Sequence, residues 1–466
     1  MVRVGGVVRR RLGLKILLNV LGVVKLLNSQ PLWMKLESSI TKIFYGWRIV
    51  FSGFILLFFF VGASVYSFSI FIKPLEDNFG WARASISLTM SFYFIIGGCV
   101  GPGVGKLIHV YGERRVILAS SAGTGLCYIL LSLTNSLVYF YSAYALLALL
   151  SCGIGIIPVS SLVANWFNQK RGAATGFAML GLSAGGLILA PIIGSITTYV
   201  GWRASYVFIG LLVWIFTLPV AFFLIKDKPS TIFSLDGKLI VGNKNSKPLS
   251  FERISMSSVN KKIWTLNKML HTRSFKWLAV AFFLAYLSQM GILQHNVPII
   301  VDMGISQAFA FNALGIIAGI GGLGKLGFGR ISDTIPLQQA IILCFGLQAL
   351  SVFILLFSET FAMVLVYVVL FGFAMGGVIV LMPLTVTHFF GLGGFGIILG
   401  YLWMVQALGC ALGTYSAGLF YDLFDDYKLV LYFFILAYVL SIIAILLAGK
   451  PDSLCVNEGE IPQIRD

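Results

Sequence analysis

Apolar residues in this chain do not alternate with polar ones; they run on. Twelve stretches of roughly 20 residues are almost wholly hydrophobic, at 48–72, 84–104, 116–134, 138–163, 172–198, 204–225, 275–301, 306–329, 337–357, 360–386, 395–420 and 429–449. A helix rises about 1.5 Å per residue, so about 20 such residues cover the ~30 Å hydrocarbon layer of a bilayer. Each run therefore predicts a membrane-crossing α-helix. A β-barrel would show shorter segments in which apolar and polar positions alternate. The expected fold class is an all-α membrane protein of twelve transmembrane helices.

Composition supports that expectation. The chain has 466 residues, 58% hydrophobic and only 11% charged, with mean hydropathy +0.95. Soluble domains carry about 25% charged residues, and 11% cannot cover a soluble surface of this size. The net charge of +16 raises the question of a nucleic-acid partner, but the charge is confined to particular loops. Arg9, Arg10, Arg11, Lys15, Lys25, Lys35 and Lys42 precede the first span against one acid, Glu37. Lys106, Arg114 and Arg115 follow the second span, Lys170 and Arg171 the fourth, and the sixth loop is lysine-rich throughout. The intervening loops carry Glu76, Asp77, Asp302, Glu359, Asp422, Asp425 and Asp426. Alternation of this kind is the positive-inside pattern of a multi-pass protein, here of the cell membrane, with both termini cytoplasmic. An even number of spans agrees. The expected partners are membrane lipid and a small solute, with no nucleic acid and a monomer as the working unit.

The polar stretches divide the chain. Residues 1–44 form a basic N-terminal extension with no clean secretory cleavage pattern. It reads either as an amphipathic helix on an anionic membrane face or as a peripheral segment upstream of a start at Met34. Residues 45–226 hold six spans, 227–274 form a basic cytoplasmic loop, 275–450 hold six more, and 451–466 form a tail. The halves echo each other. "GKLIHVYGERR" (105–115) follows the second span of the first half, and "GRISDTIP" (329–336) follows the second span of the second half. Parallel six-helix repeats related by a pseudo-two-fold are a transporter architecture.

These motifs carry a family resemblance. Residues 105–115 resemble the loop motif of the major facilitator superfamily, G-x-L-x-D-x-x-G-x-[RK]-[RK]. Gly105, Gly112, Arg114 and Arg115 match, His109 stands in place of the aspartate, and Glu113 is a further departure. The second copy keeps Gly329, Arg330 and Asp333. Within the superfamily, "YGWRIV" (45–50), "LEDNFGWARASIS" (75–87), "NWFNQKRGAATG" (165–176) and "HNVPIIVDMGIS" (295–306) are similar to the monocarboxylate-porter and oxalate–formate-antiporter group.

The resemblance implies site residues. Lys325, four residues before Gly329, stands where that group usually has a cavity-facing arginine. A lysine binds an anion as a point charge, whereas arginine grips a carboxylate in bidentate fashion. The alternative for Lys325 is that it reaches the cytoplasmic headgroups from the last helical turn. Tyr66 and Gln406 fall where some members carry further lysines, and Gly321 replaces an aspartate of the proton-linked members. In the seventh span, Gln289, Gln294, His295 and Asn296 cluster before Pro298. His295 and Asn296 are candidate substrate ligands there, with His295 also a proton site or an interfacial residue. By the resemblance, Arg114, Arg115 and Arg171 latch the cytoplasmic side, more weakly than usual because His109 replaces the aspartate; the alternative is that they serve only the positive-inside topology. Glycines crowd the fifth, eighth and eleventh spans, as a rocking interface between the halves would require.

No enzyme is expected. The four histidines are scattered, the six cysteines lack metal-ligand spacing and read as free thiols, and there is no H-E-x-x-H, Walker or G-x-S-x-G motif. No cofactor is expected either. The functional expectation is a secondary active transporter of a small organic anion, a monocarboxylate such as lactate, by alternating access with proton coupling or anion exchange. The alternatives are a facilitator-type efflux protein for amphipathic compounds and a non-transporting sensor of the same fold.

Overall fold

A computed structural model describes residues 45–167, 171–226, 272–358, 360–390 and 395–449. The expectations for 1–44, for nearly all of the 227–274 loop and for 451–466 lie outside these residues. Every regular element described is helical. We number the membrane helices α1 Gly46–Phe79, α2 Arg83–Tyr111, α3 Glu113–Leu131, α4 Leu137–Trp166, α5 Arg171–Tyr199 and α6 Trp202–Leu224 in the first half. In the second half they are α7 Arg273–Gln294 with its continuation Asn296–Asp302, α8 Gln307–Thr334, α9 Leu337–Leu356, α10 Phe361–Phe390, α11 Phe395–Phe424 and α12 Lys428–Leu447.

Eleven of these are long and apolar enough to cross a membrane by length and composition. The remaining one, α3, opens on Glu113, Arg114 and Arg115 and carries several serines and glycines, which dilute its apolar run. Many large apolar side chains face outward, among them Leu133, Val138, Phe223 and Leu446. Such surface is costly in water and suited to lipid tails.

Four helices depart from regular α geometry: α4 passes through a 3₁₀ turn at Cys152–Ile154, α6 ends in a π turn at Val220–Leu224, and α1 and α7 are interrupted. A π turn, Gly62–Tyr66, interrupts α1, and the Ser67 hydroxyl donates to the Gly62 carbonyl at 2.7 Å. The long seventh span expected from the sequence breaks at His295, where φ is −103° and ψ 10°, before resuming as Asn296–Asp302. The loop motifs are helical rather than loops. Helix α2 runs to Tyr111 and α3 starts at Glu113, with only Gly112, at φ +83°, turning the chain between them. Glycine alone adopts that conformation at little cost. Helix α8 likewise continues through Gly329, Arg330 and Asp333 to Thr334.

The glycines serve two kinds of contact. Between the halves, a Cβ on Gly315 would lie 3.0 Å from the Leu187 carbonyl of α5, and one on Gly322 would lie 3.3 Å from Ser183. Gly186 is pressed against Ala318 of α8 and Tyr66, and Gly418 of α11 against the backbone of Arg83 and Ala84 in α2. The pairs α5–α8 and α2–α11 therefore meet across the halves with little side chain between them. Gly181, Gly185, Gly324, Gly409 and Gly413 instead seat one helix on another inside a half. The backbone carbonyl of Phe58 fills the space where Gly185 would carry a Cβ, and backbone cannot move aside as a side-chain tip can. Gly185→Leu should cost at least the ~1–3 kcal/mol of ordinary overpacking and lower the unfolding midpoint in detergent. Gly176, with nothing within 4 Å of a Cβ, should accept alanine without a measurable change.

Candidate functional site

Polar chemistry gathers at two depths. The first lies in the inner half of the membrane. Lys325 is on α8, half-buried, and its Nζ donates to the Ser183 hydroxyl of α5 at 2.9 Å. The ammonium thus points across the seam between the halves. Tyr66, 6% exposed, sits in the π turn of α1 beside Gly186 and Ala318, on the outer side of Lys325. Gln406 of α11 is half-buried, and its neighbour Ala407 packs on Gly98 of α2. Lys325 is nine residues from the end of α8 and Gln406 eleven from the start of α11, which places both about 14–17 Å from the inner helix ends. Gly321 abuts α10 through Met375 and the Gly372 carbonyl, so no acid stands one turn from Lys325 on that helix.

The second gathering closes the outer end. Arg83 opens α2 and is only 2% exposed. Its Nε donates to Glu76 at 2.8 Å, and one terminal nitrogen donates to Asp302 at 2.6 Å and to the Tyr427 hydroxyl at 2.9 Å. The guanidinium lies 3.6 Å from the centre of the Tyr421 ring, within range for a cation–π attraction. Asp302 also pairs with Lys73 of α1. Asp422 of α11 accepts from the backbone N–H groups of Arg83 and Ala84 at 2.9 and 2.7 Å. Those are among the donors that the first turn of a helix leaves unpaired, and a carboxylate there also meets the positive end of the helix dipole. Asp302, Tyr421, Asp422 and Tyr427 belong to the second half, while Lys73, Glu76 and Arg83 belong to the first. Among the described residues, both ion pairs that join the halves lie at this end, opposite the basic loops.

His295 extends the same network. It is fully buried, with Nε2 2.8 Å from Ser87 Oγ of α2 and Nδ1 2.9 Å from the Tyr427 hydroxyl. Arg83 donates to that hydroxyl, which leaves the tyrosine proton to meet Nδ1 and the Nε2 proton to meet Ser87. The sequence alternative of an interfacial, partly hydrated histidine does not describe this position. Asn296 donates to the Tyr367 hydroxyl of α10 at 2.6 Å, and the Val297 N–H donates to Ser69 of α1 at 3.0 Å. Along α7, Gln289 Oε1, both Gln294 amide atoms and Asn296 Oδ1 are buried without a protein partner among the described residues. Helical rise puts His295 about 10 Å from the outer end of α7 and Lys325 about 27 Å from the outer end of α8. A small anion cannot span that difference, so it cannot touch Lys325 and His295 or Asn296 at the same time.

At the cytoplasmic motif, the described contacts hold helices of the first half together. Glu113, the departure from the motif, is buried and accepts from Ser161 at 2.8 Å and Asn165 at 2.7 Å, fastening α3 to α4 within the first half. Arg114 donates to the Phe222 carbonyl of α6 at 2.6 Å. Gly105 has open space around it, Arg115, His109, Arg330 and Asp333 are exposed, and Arg171 opens α5.

Two six-helix halves, meeting at α5–α8 and α2–α11, can now be set beside known proteins. The model of the Major Facilitator Superfamily matches residues 54–414. The chain belongs to that superfamily. This transporter is 26% identical over 398 residues to an uncharacterized MFS-type transporter of Bacillus subtilis (strain 168), covering 81% of this chain and 90% of the relative. It is 24% identical to the oxalate:formate antiporter of Oxalobacter formigenes, covering 77% and 81%, and 25% identical to human monocarboxylate transporter 2, covering 82% and 81%. In fold it is similar to a bacterial homolog of the human lysosomal transporter Spinster in an inward-facing, occupied conformation. The TM-score is 0.63 at 12% identity, over 86% of this chain and 95% of that one. The protein is thus a multi-pass membrane transporter of the twelve-helix major facilitator fold.

The outer network was not singled out from the sequence, although its members were visible. Glu76, Asp302 and Asp422 counted only as acids of the outer loops, and Arg83 stood unremarked inside "LEDNFGWARASIS". A basic residue on the acidic side of the membrane, at the very start of an apolar run, was the available signal.

Proposed function

We propose that the transporter carries a small monocarboxylate, lactate or a related acid, by alternating access, with proton coupling or anion exchange as the mode. The observation that carries this reading is the direction of Lys325. A charged lysine in mid-bilayer costs about 2.5–3.5 kcal/mol on insertion scales, and reaching the headgroups would relieve that cost. Its ammonium instead meets Ser183 across the seam. A hydroxyl leaves the charge uncompensated, so an incoming carboxylate gains a strong partner in a site of low dielectric. Tyr66, one to two turns outward, offers a flat apolar face to the body of the anion, and Gln406 a neutral donor at the same depth. One cation suits a monoanion better than a dianion.

His295 and Asn296 then serve the closing of the outer end rather than direct binding at Lys325. The relatives' names, monocarboxylate transporter and oxalate:formate antiporter, support the substrate class. The test is uptake of labelled L-lactate and formate by proteoliposomes, with and without an imposed pH gradient or an internal carboxylate. Accelerated uptake under either condition is the expected result. Carboxylate binding without flux would make the protein a sensor, and flux of amphipathic compounds alone would make it an efflux facilitator.

A further inference from the structure

Lys73 is the member of the outer network whose role the closing of that end does not exhaust. It sits near the outer end of α1, with 22% of its side chain exposed, and pairs with Asp302 at the tip of α7. Asp302 is shared, since Arg83 also donates to it at 2.6 Å. The two cations differ in what they keep when the halves separate. Arg83 retains Glu76, an acid of its own half, at 2.8 Å. Lys73 has no second acid within ion-pair distance among the described residues. Parting the halves at the outer end therefore leaves Lys73 as an uncompensated ammonium at the mouth.

That ammonium borders a small cleft of about 50 Å³ between the halves, walled by Ile70 and Pro74 of α1, Thr197 and Thr198 of α5, Val301 of α7, and Gln307 and Phe311 of α8. With the outer end closed it is smaller than an ordinary small-molecule site, and it widens as the halves part. Its walls are mainly apolar, with two threonines and a glutamine, and its one charge is positive.

We infer that Lys73 and this cleft form an outer capture site for a small carboxylate, and that Asp302 occupies the anion position as a tethered substitute whenever the outer end is closed. The inference rests on the reading of the protein as a carboxylate transporter. It gives the cycle an order. An external carboxylate on Lys73 displaces Asp302 and holds the outer end open. The end closes only when the anion has moved inward and Asp302 has returned. Lys325 lies far deeper, so the two cations act in succession on one anion.

The experiment compares Lys73→Gln with Asp302→Asn in cells, reading initial uptake of labelled L-lactate and formate over a range of external concentrations. Each substitution removes the same Lys73–Asp302 ion pair. If Lys73 captures the anion and Asp302 competes for it, the two act in opposite directions. Lys73→Gln should raise the external half-saturation concentration about three- to tenfold, and Asp302→Asn should lower it by a similar factor, as expected for one partly exposed charge pair. If the pair is only a latch, both variants shift the value in the same direction or not at all, and the inference is overturned. Carboxylate-induced thermal stabilisation of the purified unaltered protein separates this failure from a broader one. If L-lactate and formate neither stabilise that protein nor enter cells through it, the carboxylate reading itself fails, and the capture site with it.

Discussion

Arg83→Gln is expected to open the outer end and to destabilise the protein more than any other single substitution in the network. The arginine is buried at the seam, with Glu76 and Asp302 on either side and the Tyr421 ring beneath. Removing one partner of a buried ion pair costs about 3–5 kcal/mol, because the remaining charges stay desolvated and unpaired. Glu76 and Asp302 are 31% and 24% exposed, so water recovers part of that loss, and about 2–3 kcal/mol is the reasonable expectation. Most of it falls on the closed arrangement, since Asp302 and Tyr427 reach Arg83 from the other half only there. A reporter follows directly. Ile70 is 1% exposed in α1 beside the seam, so a cysteine at that position, in a background with the native cysteines replaced, should be protected from an impermeant maleimide. Adding Arg83→Gln should expose it and lower the thermal midpoint, while Arg83→Lys, which keeps charge but not the fork, should do so less. Unchanged labelling in the glutamine variant would mean that the outer end is held by something else.

Lys325→Gln is expected to weaken carboxylate binding severely while leaving the fold intact. The substitution removes a charge that is costly to insert and replaces it with a side chain that can still reach Ser183. Stability should therefore hold or improve. Binding should fall about 30- to 100-fold, the equivalent of roughly 2–3 kcal/mol for removing one partner of a charge-assisted contact in a low-dielectric site. Lys325→Arg should retain or tighten binding, because a guanidinium can grip both carboxylate oxygens. The measurement is carboxylate-induced stabilisation of each purified variant together with proteoliposome uptake. Undiminished binding in Lys325→Gln would remove this lysine from the anion site.

The membrane fold was open to reading from the chain because its signal is local. Twenty apolar residues in a row declare a span wherever they occur, and eleven such helices, with α3 between them, follow the spans expected from the pattern. Local signals also misled at the edges. The glycines and charges of 105–115 read as a loop, yet only Gly112 leaves the helical conformation. Lys325 was legible because a lysine in an apolar run is conspicuous by itself. Its partner Ser183, 142 residues away, was not, and neither was the contact between Arg83 and Tyr427, 344 residues apart. Pairing over such distances depends on how two bundles face each other, which no window of residues encodes. Glu113 makes the same point, since it read as a defect in a motif and proves to be the acceptor that fastens α3 to α4.

The π turn at Gly62–Tyr66 has a consequence for how insertions and deletions act on this helix. A π turn accommodates one residue more than the α-helix it interrupts, and each residue advances the helix by about 100°. The outer part of α1, from Ser67 to Phe79, is therefore out of phase with the inner part by that angle. Phe54 and Phe58 lie against α5 below the turn, and Lys73 meets α7 above it. Deleting a single residue between Gly62 and Tyr66 would turn α1 into an unbroken helix, which usually counts as the milder backbone state. Here it would swing Lys73 away from Asp302 and Ser69 away from Val297, while the inner half of the helix stayed in register. The irregularity works as a phase shifter, and a more regular helix would be the less functional one.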